Sequence, residues 1–170
     1  MPSLPVLTFP DPFLKKKAAP VTQFDESLKK LVKDMSEAMY ESAGIGLAAP
    51  QVGVGLRMFI VDLNYRGPDT DTQPNPVAYC NPVLRDGKGS IHLEEGCLSL
   101  PEFRAEVERF EELTLEYQDI NGHHHSLHAE GLFAVCIQHE TDHLNGKLFI
   151  DYLPPLRKKM IEKRLKKMAQ

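Results

Sequence analysis

The stretch that most constrains this chain is residues 138–146, which contain an H-E-x-x-H motif. On an α-helix, His139 and His143 stand about one turn apart on the same face, so both imidazoles can reach a single metal ion. Glu140 lies next to the first imidazole and can act as a general base toward a water on that metal. The sequence therefore predicts a helix that carries two metal ligands and a base.

The residues around the motif predict that this helix is held inside the protein. An apolar run over residues 132–137 leads into the motif, and Gly146 is suited to end the helix. We therefore expect a buried helix from about residue 131 to residue 145.

Length and composition favour one globular domain over residues 1–170. The net charge of −4 argues against a nucleic-acid binder by bulk electrostatics. Because no apolar run could cross a membrane and no signal peptide is apparent, we expect no membrane contact. The three cysteines are too few for a disulfide scaffold, which favours a reducing cytoplasm.

Helical patterns flank the central part of the chain. Residues 1–21 are rich in proline and lysine and are expected to lie over the surface as an extended arm. A helix is expected from about Phe24, capped by Thr22 or Asp25. Another, strongly basic, is expected over residues 156–170. The apolar stripe predicted for the first comprises Leu28, Leu31, Val32, Met35 and Met39, and that for the second Leu156, Met160, Leu165 and Met168.

Short apolar or alternating runs predict strands between these helices. Asn121-Gly122 indicates a type I′ hairpin. Because Pro82 interrupts the second strand, we expect that strand at a sheet edge. The predicted strands are residues 56–63, 77–84, the segment around Cys97, 106–120 and 123–129. Together the elements indicate an α+β fold, with antiparallel strands around a central motif helix and a helix at each end of the chain.

Three histidines and one cysteine are not expected to bind a metal ion. Adjacent strand residues point to opposite faces, so His123, His124 and His125 cannot converge on one ion, and we expect a solvated hairpin end. Cys80 has no partner at a metal-ligand spacing and is expected to be a small buried hydrophobe.

Three residues are candidates for the third metal ligand, and a metzincin-type histidine is excluded because position 149 is Phe149. Glu162 is the only glutamate after the motif and stays an alternative, although it lies in the basic tail. Cys136 is on the motif helix and should lean away from a metal between the histidines. Cys97 can close a site of one thiolate and two imidazoles with a position open for water. This donor set suits Zn²⁺ and Fe²⁺ alike.

Three segments together resemble those of the bacterial peptide deformylase family, in the type with a helical C-terminal tail. They are Gly-Ile-Gly-Leu-Ala-Ala-Pro-Gln at 44–51, Glu-Gly-Cys-Leu-Ser at 95–99 and Gln-His-Glu-Thr-Asp-His-Leu-Asn-Gly at 138–146. They occur in the family's order and at family-like separations. The likeness covers nearly the whole chain.

The resemblance implies removal of the N-formyl group from the initiator methionine of nascent polypeptides, with release of formate. Cys97, His139 and His143 would hold one divalent metal ion, Fe²⁺ in the cell, with Zn²⁺, Ni²⁺ or Co²⁺ able to substitute. Glu140 would be the general base. The Gln51 side-chain amide and the Leu98 backbone N–H would meet the tetrahedral oxyanion together with the metal.

The resemblance also implies how the substrate is recognised. An apolar pocket would select methionine, and two further residues would lie near the peptide backbone. The pocket residues would be Ile45, Leu93, Leu132, Val135 and Cys136, and the backbone residues Gly46 and Arg104. We further expect Asp142 to pair with Arg109 and to support metal retention.

Two other functions stay open from the sequence. One is a zinc peptidase with Glu162 as a ligand, and the other is a non-catalytic homologue, which would need a fourth protein ligand. The seven basic residues of the tail predict either a solvated amphipathic helix or a contact with ribosomal RNA phosphates. We expect a cytoplasmic monomer.

Overall fold

The computed structural model describes residues 4–169, which form the predicted α+β fold. The first three residues of the predicted arm and Gln170 of the predicted tail helix lie outside the described residues. The helices are α1 (Glu26–Glu41), α2 (Gly131–Leu144) and α3 (Pro155–Met168), with short 3₁₀ helices at Pro12–Lys15, Ala49–Val52 and Phe149–Tyr152. The strands are β1 (Gly46–Ala48), β2 (Met58–Val61), β3 (Val77–Lys88), β4 (Ile91–Cys97), β5 (Leu100–Arg109), β6 (Glu112–Gln118) and β7 (His124–Glu130).

Strands β1, β2, β3, β6 and β7 form one antiparallel sheet in that order, and β4 pairs with β5 in a separate hairpin. Side chains alternate along β2, so Phe59 packs against α2 while Met58 and Ile60 pack against α1. The larger sheet therefore has a helix on each face, and α2 lies at the centre of the molecule. No helix within residues 4–169 is both long and apolar enough to cross a membrane.

Helix α1 begins where the sequence indicates. The Asp25 carboxylate accepts a hydrogen bond from the Leu28 N–H at 3.2 Å, so Asp25 rather than Thr22 is the cap. Of the predicted stripe, Leu28, Met35 and Met39 are buried and the other two members are partly buried.

Helix α2 ends in a position that requires glycine. Gly146 has a φ of 74°, and a Cβ there would collide with the carbonyl oxygen of Lys15. The N-terminal arm thus approaches the end of the motif helix more closely than a larger residue would allow.

A third apolar cluster joins the arm, the β4–β5 hairpin and α3. In α3 the buried residues are Ile161 and Leu165, whereas Leu156, Met160 and Met168 are exposed. The predicted stripe of α3 was therefore wrong in all but Leu165, because Ile161 and Leu165 alone set the face that packs. The arm also differs from expectation, since Phe9 and Leu14 are buried rather than lying on the surface.

Strand β3 lies third of five, so the prediction of an edge strand was wrong. The register shifts between Cys80 and Val83, and Asn81 has a φ of 51°. This bulge places Pro82 where the ladder does not need its missing N–H. Cys80 is fully buried, as expected.

The predicted strand over 106–120 is two strands in different sheets, the end of β5 and the whole of β6. The chain crosses between the sheets at Phe110 and Glu111, which are both exposed, whereas Val107 before them and Leu113 after them are buried. The β6–β7 hairpin is confirmed, but its turn is not type I′. The Asp119 carbonyl accepts from the Gly122 N–H at 2.9 Å, and of the turn residues only Gly122 has a positive φ.

Candidate active site

Three predicted metal ligands, one from β4 and two from α2, meet at one point. Cys97 ends β4, and its Sγ lies 3.4 Å from Nε2 of His143. That atom lies 3.3 Å from Nε2 of His139, one turn earlier on α2. Metal–nitrogen bonds of about 2.0–2.1 Å and metal–sulfur bonds of about 2.3 Å in a tetrahedral site separate neighbouring donors by roughly 3.3–3.6 Å. The three atoms therefore fit the corners of a single metal site.

The electrostatics at the three donors also suit a metal ion. Burial holds the pKa of His143 well below its ordinary value, which favours the neutral imidazole that metals bind. Burial also opposes a charge on His139, but its contacts with Cys97 and Glu95 outweigh that effect and raise its pKa well above the ordinary value. The surroundings therefore favour a neutral ring at His143, and the neighbours of His139 favour positive charge at that ring.

A carboxylate that was not predicted from the sequence contacts His139 at Nδ1, the ring nitrogen that does not face His143. Glu95 accepts from Nδ1 of His139 at 2.9 Å, and both of its oxygens accept from Arg109 at 2.9 Å. Arg109 also donates to Asp142 at 2.6 Å, which confirms the predicted pairing. The Tyr152 hydroxyl donates to Asp142 at 2.9 Å, and its ring lies 4.8 Å from the guanidinium. This network fixes the orientation of the ligand ring.

Glu140 lies buried beside the ligands and is 3 % exposed. Its Oε1 is 4.0 Å from Nε2 of His143 and has no hydrogen-bond partner within the described residues. Burial raises the pKa of Glu140 to about 7. A Cβ on Gly46 would lie 2.7 Å from Glu140 Oε2 and 3.1 Å from Cys136 Sγ, so β1 can approach this carboxylate only with glycine there.

Gln51 faces the same point from the other side of the cleft. Its Oε1 accepts from the Ala48 N–H at 2.9 Å, which turns the amide nitrogen toward Cys97 Sγ at 3.5 Å and Ser99 Oγ at 3.1 Å. Leu98 lies between those two residues, and its N–H makes no hydrogen bond to any of residues 4–169. Two hydrogen-bond donors, the Gln51 amide and the N–H of the residue after Cys97, therefore lie close to Cys97.

These groups open into a cleft of about 960 Å³. Val135 and Cys136 are buried in it, whereas Ile45 and Leu132 are exposed by 43 % and 51 %. The cleft therefore combines an enclosed apolar part with an apolar rim. It is lined by all seven predicted substrate residues, Ile45, Gly46, Leu93, Arg104, Leu132, Val135 and Cys136.

The structure does not support the alternative metal ligands. The Phe149 ring stacks on His139, with centroids 6.3 Å apart. Glu162 lies in a groove of lysines on α3 and is not among the described residues whose donor atoms converge with the two histidines. Within residues 4–169, no fourth protein ligand joins Cys97, so a closed structural site is not formed.

The histidine-rich hairpin is exposed, as predicted. His125 contacts the Asp119 carboxylate at 2.6 Å, and His123 lies 3.8 Å from it. Neither residue belongs to a group of converging ligands in the described part of the chain.

A thiolate, two imidazoles and a buried carboxylate at the floor of an open cleft define a class of protein, the mononuclear metallohydrolases. A family model described as polypeptide deformylase matches residues 3–159. The peptide deformylase of Alkalilimnicola ehrlichii is 45 % identical over 170 residues, which are 100 % of this chain and 93 % of that protein. That of Mesorhizobium japonicum is 44 % identical over 171 residues, covering 100 % and 95 %. The chain belongs to the polypeptide deformylase family.

Solved structures share this fold. A peptide deformylase from Legionella pneumophila is 41 % identical, with a TM-score of 0.88 over 99 % of this chain and 96 % of that one. The peptide deformylase of Ehrlichia chaffeensis in complex with actinonin is 35 % identical, with a TM-score of 0.90 over 100 % and 99 %. The likeness therefore extends from the sequence motifs to the whole fold.

Proposed function

We propose that this chain hydrolyses the formyl group from the initiator methionine of nascent polypeptides and releases formate and a free amino group. The observation that carries this proposal is the meeting of Cys97, His139 and His143 beside Glu140 at the floor of one cleft. Family membership supplies the substrate class.

The chain's own residues account for the proton transfers. Cys97, His139 and His143 would hold the metal ion, which when bound polarises the formyl oxygen and lowers the pKa of a water. Glu140 takes a proton from the attacking water and returns it to the leaving nitrogen as the C–N bond breaks. Burial raises its pKa, which favours a carboxyl group that can both take up and return a proton.

Two donors would stabilise the oxyanion that forms at the formyl carbon. The Gln51 amide is held in place by Ala48 and lies beside Cys97, and the Leu98 N–H lies next along the chain. Each such donor typically contributes about 10²–10³-fold to kcat.

The methionine side chain would occupy the apolar part of the cleft, against Val135 and Cys136. Ile45, Leu93 and Leu132 would complete the pocket toward the rim. Gly46 and Arg104 would lie along the peptide backbone.

The experiment is formate release from a short formylmethionyl peptide by protein purified without oxygen. We expect release by the wild type and a loss of about 10²–10⁴-fold in Glu140→Gln, which removes the base but keeps the shape. The matched control is Glu162→Gln, which should keep both activity and metal. No formate from metal-loaded wild type, or full activity in Glu140→Gln, would contradict the proposal.

We propose Fe²⁺ as the metal in the cell. A thiolate with two imidazoles accommodates Fe²⁺ and Zn²⁺ alike, so the family resemblance favours iron rather than the donor set. Metal analysis of protein isolated without oxygen should find iron in excess of zinc, and zinc alone in active protein would contradict this assignment.

We also propose that α3 contacts the ribosome in the cytoplasm, with the enzyme acting as a monomer. Lys159, Lys163, Lys166 and Lys167 line one groove on the exposed side of α3, interrupted only by Glu162. A row of cations of this kind suits the phosphates of RNA, and Ile161 and Leu165 fix it to the body of the protein.

A further inference from the structure

The N-terminal arm bonds to two of the segments that build the site. The Leu7 N–H donates to the Gln51 carbonyl at 2.7 Å, and the Phe9 N–H donates to the Ser99 carbonyl at 2.8 Å. In an extended chain, N–H groups two residues apart point to the same side. Residues 7–9 therefore bridge the two carbonyls and hold them side by side.

The same arm reaches the third segment. The Ala18 N–H donates to the Leu144 carbonyl at 2.9 Å, one residue beyond the ligand His143. Arg57 donates to that carbonyl as well, at 3.0 Å. Together with the close approach of Lys15 to Gly146, these contacts place the arm behind all three motifs.

The bridge at residues 7–9 closes a ring with the side chains of the site. Gln51 and Ser99 are already joined on the cleft side, because the Gln51 amide donates to Ser99 Oγ at 3.1 Å. The arm joins the same two residues through their backbone carbonyls. The ring fixes the distance between the Gln51 amide and the turn that carries Cys97 and Leu98.

The arm is anchored independently of this bridge. Phe9 and Leu14 are 3 % and 1 % exposed and pack in the core, whereas Thr8, between the two donors, is exposed. The Thr8 N–H makes no hydrogen bond to a described residue. Removing the Leu7 donor should therefore leave the arm in place but loosen the ring.

We propose that the backbone N–H groups of Leu7 and Phe9 are a positioning element, which sets Gln51 against Cys97 and Leu98 for the chemical step. This inference rests on the proposed deformylase function. A misplacement of about 1 Å at a reacting group can cost about 10²-fold in rate, so even a small relaxation of the ring should be measurable.

The test compares Leu7→Pro, which removes the bridging N–H, with Thr8→Pro, which makes the same change one residue along. We expect kcat for a formylmethionyl peptide to fall about tenfold or more in Leu7→Pro, with KM within about twofold. Thr8→Pro should stay within about twofold of wild type, and Leu7→Ala, which keeps the N–H, should retain most of the activity. Wild-type kcat in Leu7→Pro, or an equal loss in Thr8→Pro, would overturn the proposal.

If Leu7→Pro does not fold, a second variant tests the positioning proposal. Incorporation of the α-hydroxy analogue of leucine at position 7 replaces the N–H by an ester oxygen and keeps the side chain. We expect the same loss of kcat in a folded protein. A fully active ester protein would overturn the proposal, because the N–H would then have no role in catalysis. An ester protein that cannot fold would also overturn it, because the N–H would then be needed only for folding.

A readout other than activity separates this proposal from the proposed function. In protein loaded with Co²⁺, the absorption spectrum reports the geometry around the Cys97 thiolate. We expect that spectrum to change in Leu7→Pro and to match wild type in Thr8→Pro. A wild type that releases no formate would end the deformylase proposal, whereas an unchanged cobalt spectrum in Leu7→Pro would end the positioning proposal.

Discussion

Arg109 shows how single residues hold this site. It is 6 % exposed, and its guanidinium pairs with two carboxylates, those of Glu95 and Asp142. Burial disfavours the charge on Glu95, but hydrogen bonds from Arg109 and His139 hold its pKa below the ordinary value. Removing one partner from a buried ion pair typically costs about 3–5 kcal/mol. The orientation of His139 therefore depends on every member of the network.

Asp142→Asn should weaken metal retention by about 10–100-fold, because Asp142 holds Arg109, which holds Glu95 against the ligand His139. The measurement is metal content after dialysis against a chelator of graded strength. The control is Asp34→Asn, which removes a carboxylate from a partly exposed ion pair with Lys30 on α1. Equal metal content in the Asp142 variant and wild type would contradict the prediction.

Gly46→Ala should lower kcat/KM by at least about tenfold, because its Cβ would press on the Glu140 carboxylate. A steady-state assay with a formylmethionyl peptide measures the effect. Gly55→Ala is the matched control, since a Cβ there would make ordinary contact at 3.7 Å with Phe13. Equal losses in both variants would show that the contact between residue 46 and Glu140 does not cause the loss of activity.

Among the secondary-structure elements, the sequence correctly predicted those that depend on a local residue pattern. Helix α2 follows from the apolar run and the motif, and α1 from its cap and periodicity. The convergence of Cys97 with α2 followed from chemistry, because one thiolate from a separate segment completes an open three-ligand site. The seven cleft residues were predicted from the family resemblance, and the structure brings them together although their roles stay a prediction.

Three features were not predicted from the sequence: the interior position of β3, the division of residues 106–120 between two sheets, and the contact of Glu95 with His139. The place of β3 depends on a bulge at Asn81, and the adjacent Pro82 fits an edge strand or a bulge equally well. The switch between sheets is marked only by two consecutive exposed residues, Phe110 and Glu111. Glu95 adjoins a recognised motif, yet its contact with His139 joins residues 44 positions apart. A carboxylate close in sequence to a predicted thiolate ligand was the only signal for it.

The loop over residues 64–76 depends on one buried carboxylate. Asp62 accepts from the Tyr40 hydroxyl at 2.6 Å and from the N–H groups of Asn64, Tyr65 and Asn75 at 2.9–3.2 Å. Burial opposes its charge, but these hydrogen bonds outweigh burial and lower the pKa of Asp62. Because the pKa is lower in the folded state, its contribution to stability is complete above the unfolded value, about 3.9, and is lost as pH falls through the folded value.

Asp62→Asn should therefore be less stable than wild type at pH 7, and the difference should shrink as the pH falls below about 4. Urea unfolding of both proteins at several pH values measures the two free energies of unfolding. Asp34→Asn, which removes the carboxylate of a partly exposed ion pair with Lys30, is the control and should show a much smaller difference. A gap that stays constant down to pH 3 would show that the charge of Asp62 does not stabilise the loop.

At the scale of the whole molecule, three segments distant in sequence meet at the candidate metal site on α2. Among the residues that the structure describes, the basic groove on α3 shares no residue with the cleft above that site. This separation predicts that ribosome binding and peptide hydrolysis can be changed independently. The triple variant Lys159→Gln, Lys163→Gln and Lys167→Gln should weaken ribosome binding and make the logarithmic salt slope shallower by about 2–3. Its activity on a short peptide should stay at the wild-type level.

The control for this prediction is the same change at Lys29, Lys30 and Lys33 on α1, which removes three charges elsewhere on the surface. Co-sedimentation with ribosomes over a range of salt concentrations gives both slopes. Equal slopes for the two variants would contradict docking through α3.

Cys97, His139 and His143 are proposed to share one metal ion and to leave a position open for reaction. Anomalous diffraction from crystals of metal-loaded protein tests it directly. We predict one peak, bonded to Cys97 Sγ and to Nε2 of each histidine at about 2.0–2.3 Å, with no fourth protein ligand and with Glu140 adjacent but unbonded. A peak ligated by a fourth side chain, or no peak between these three residues, would contradict the account.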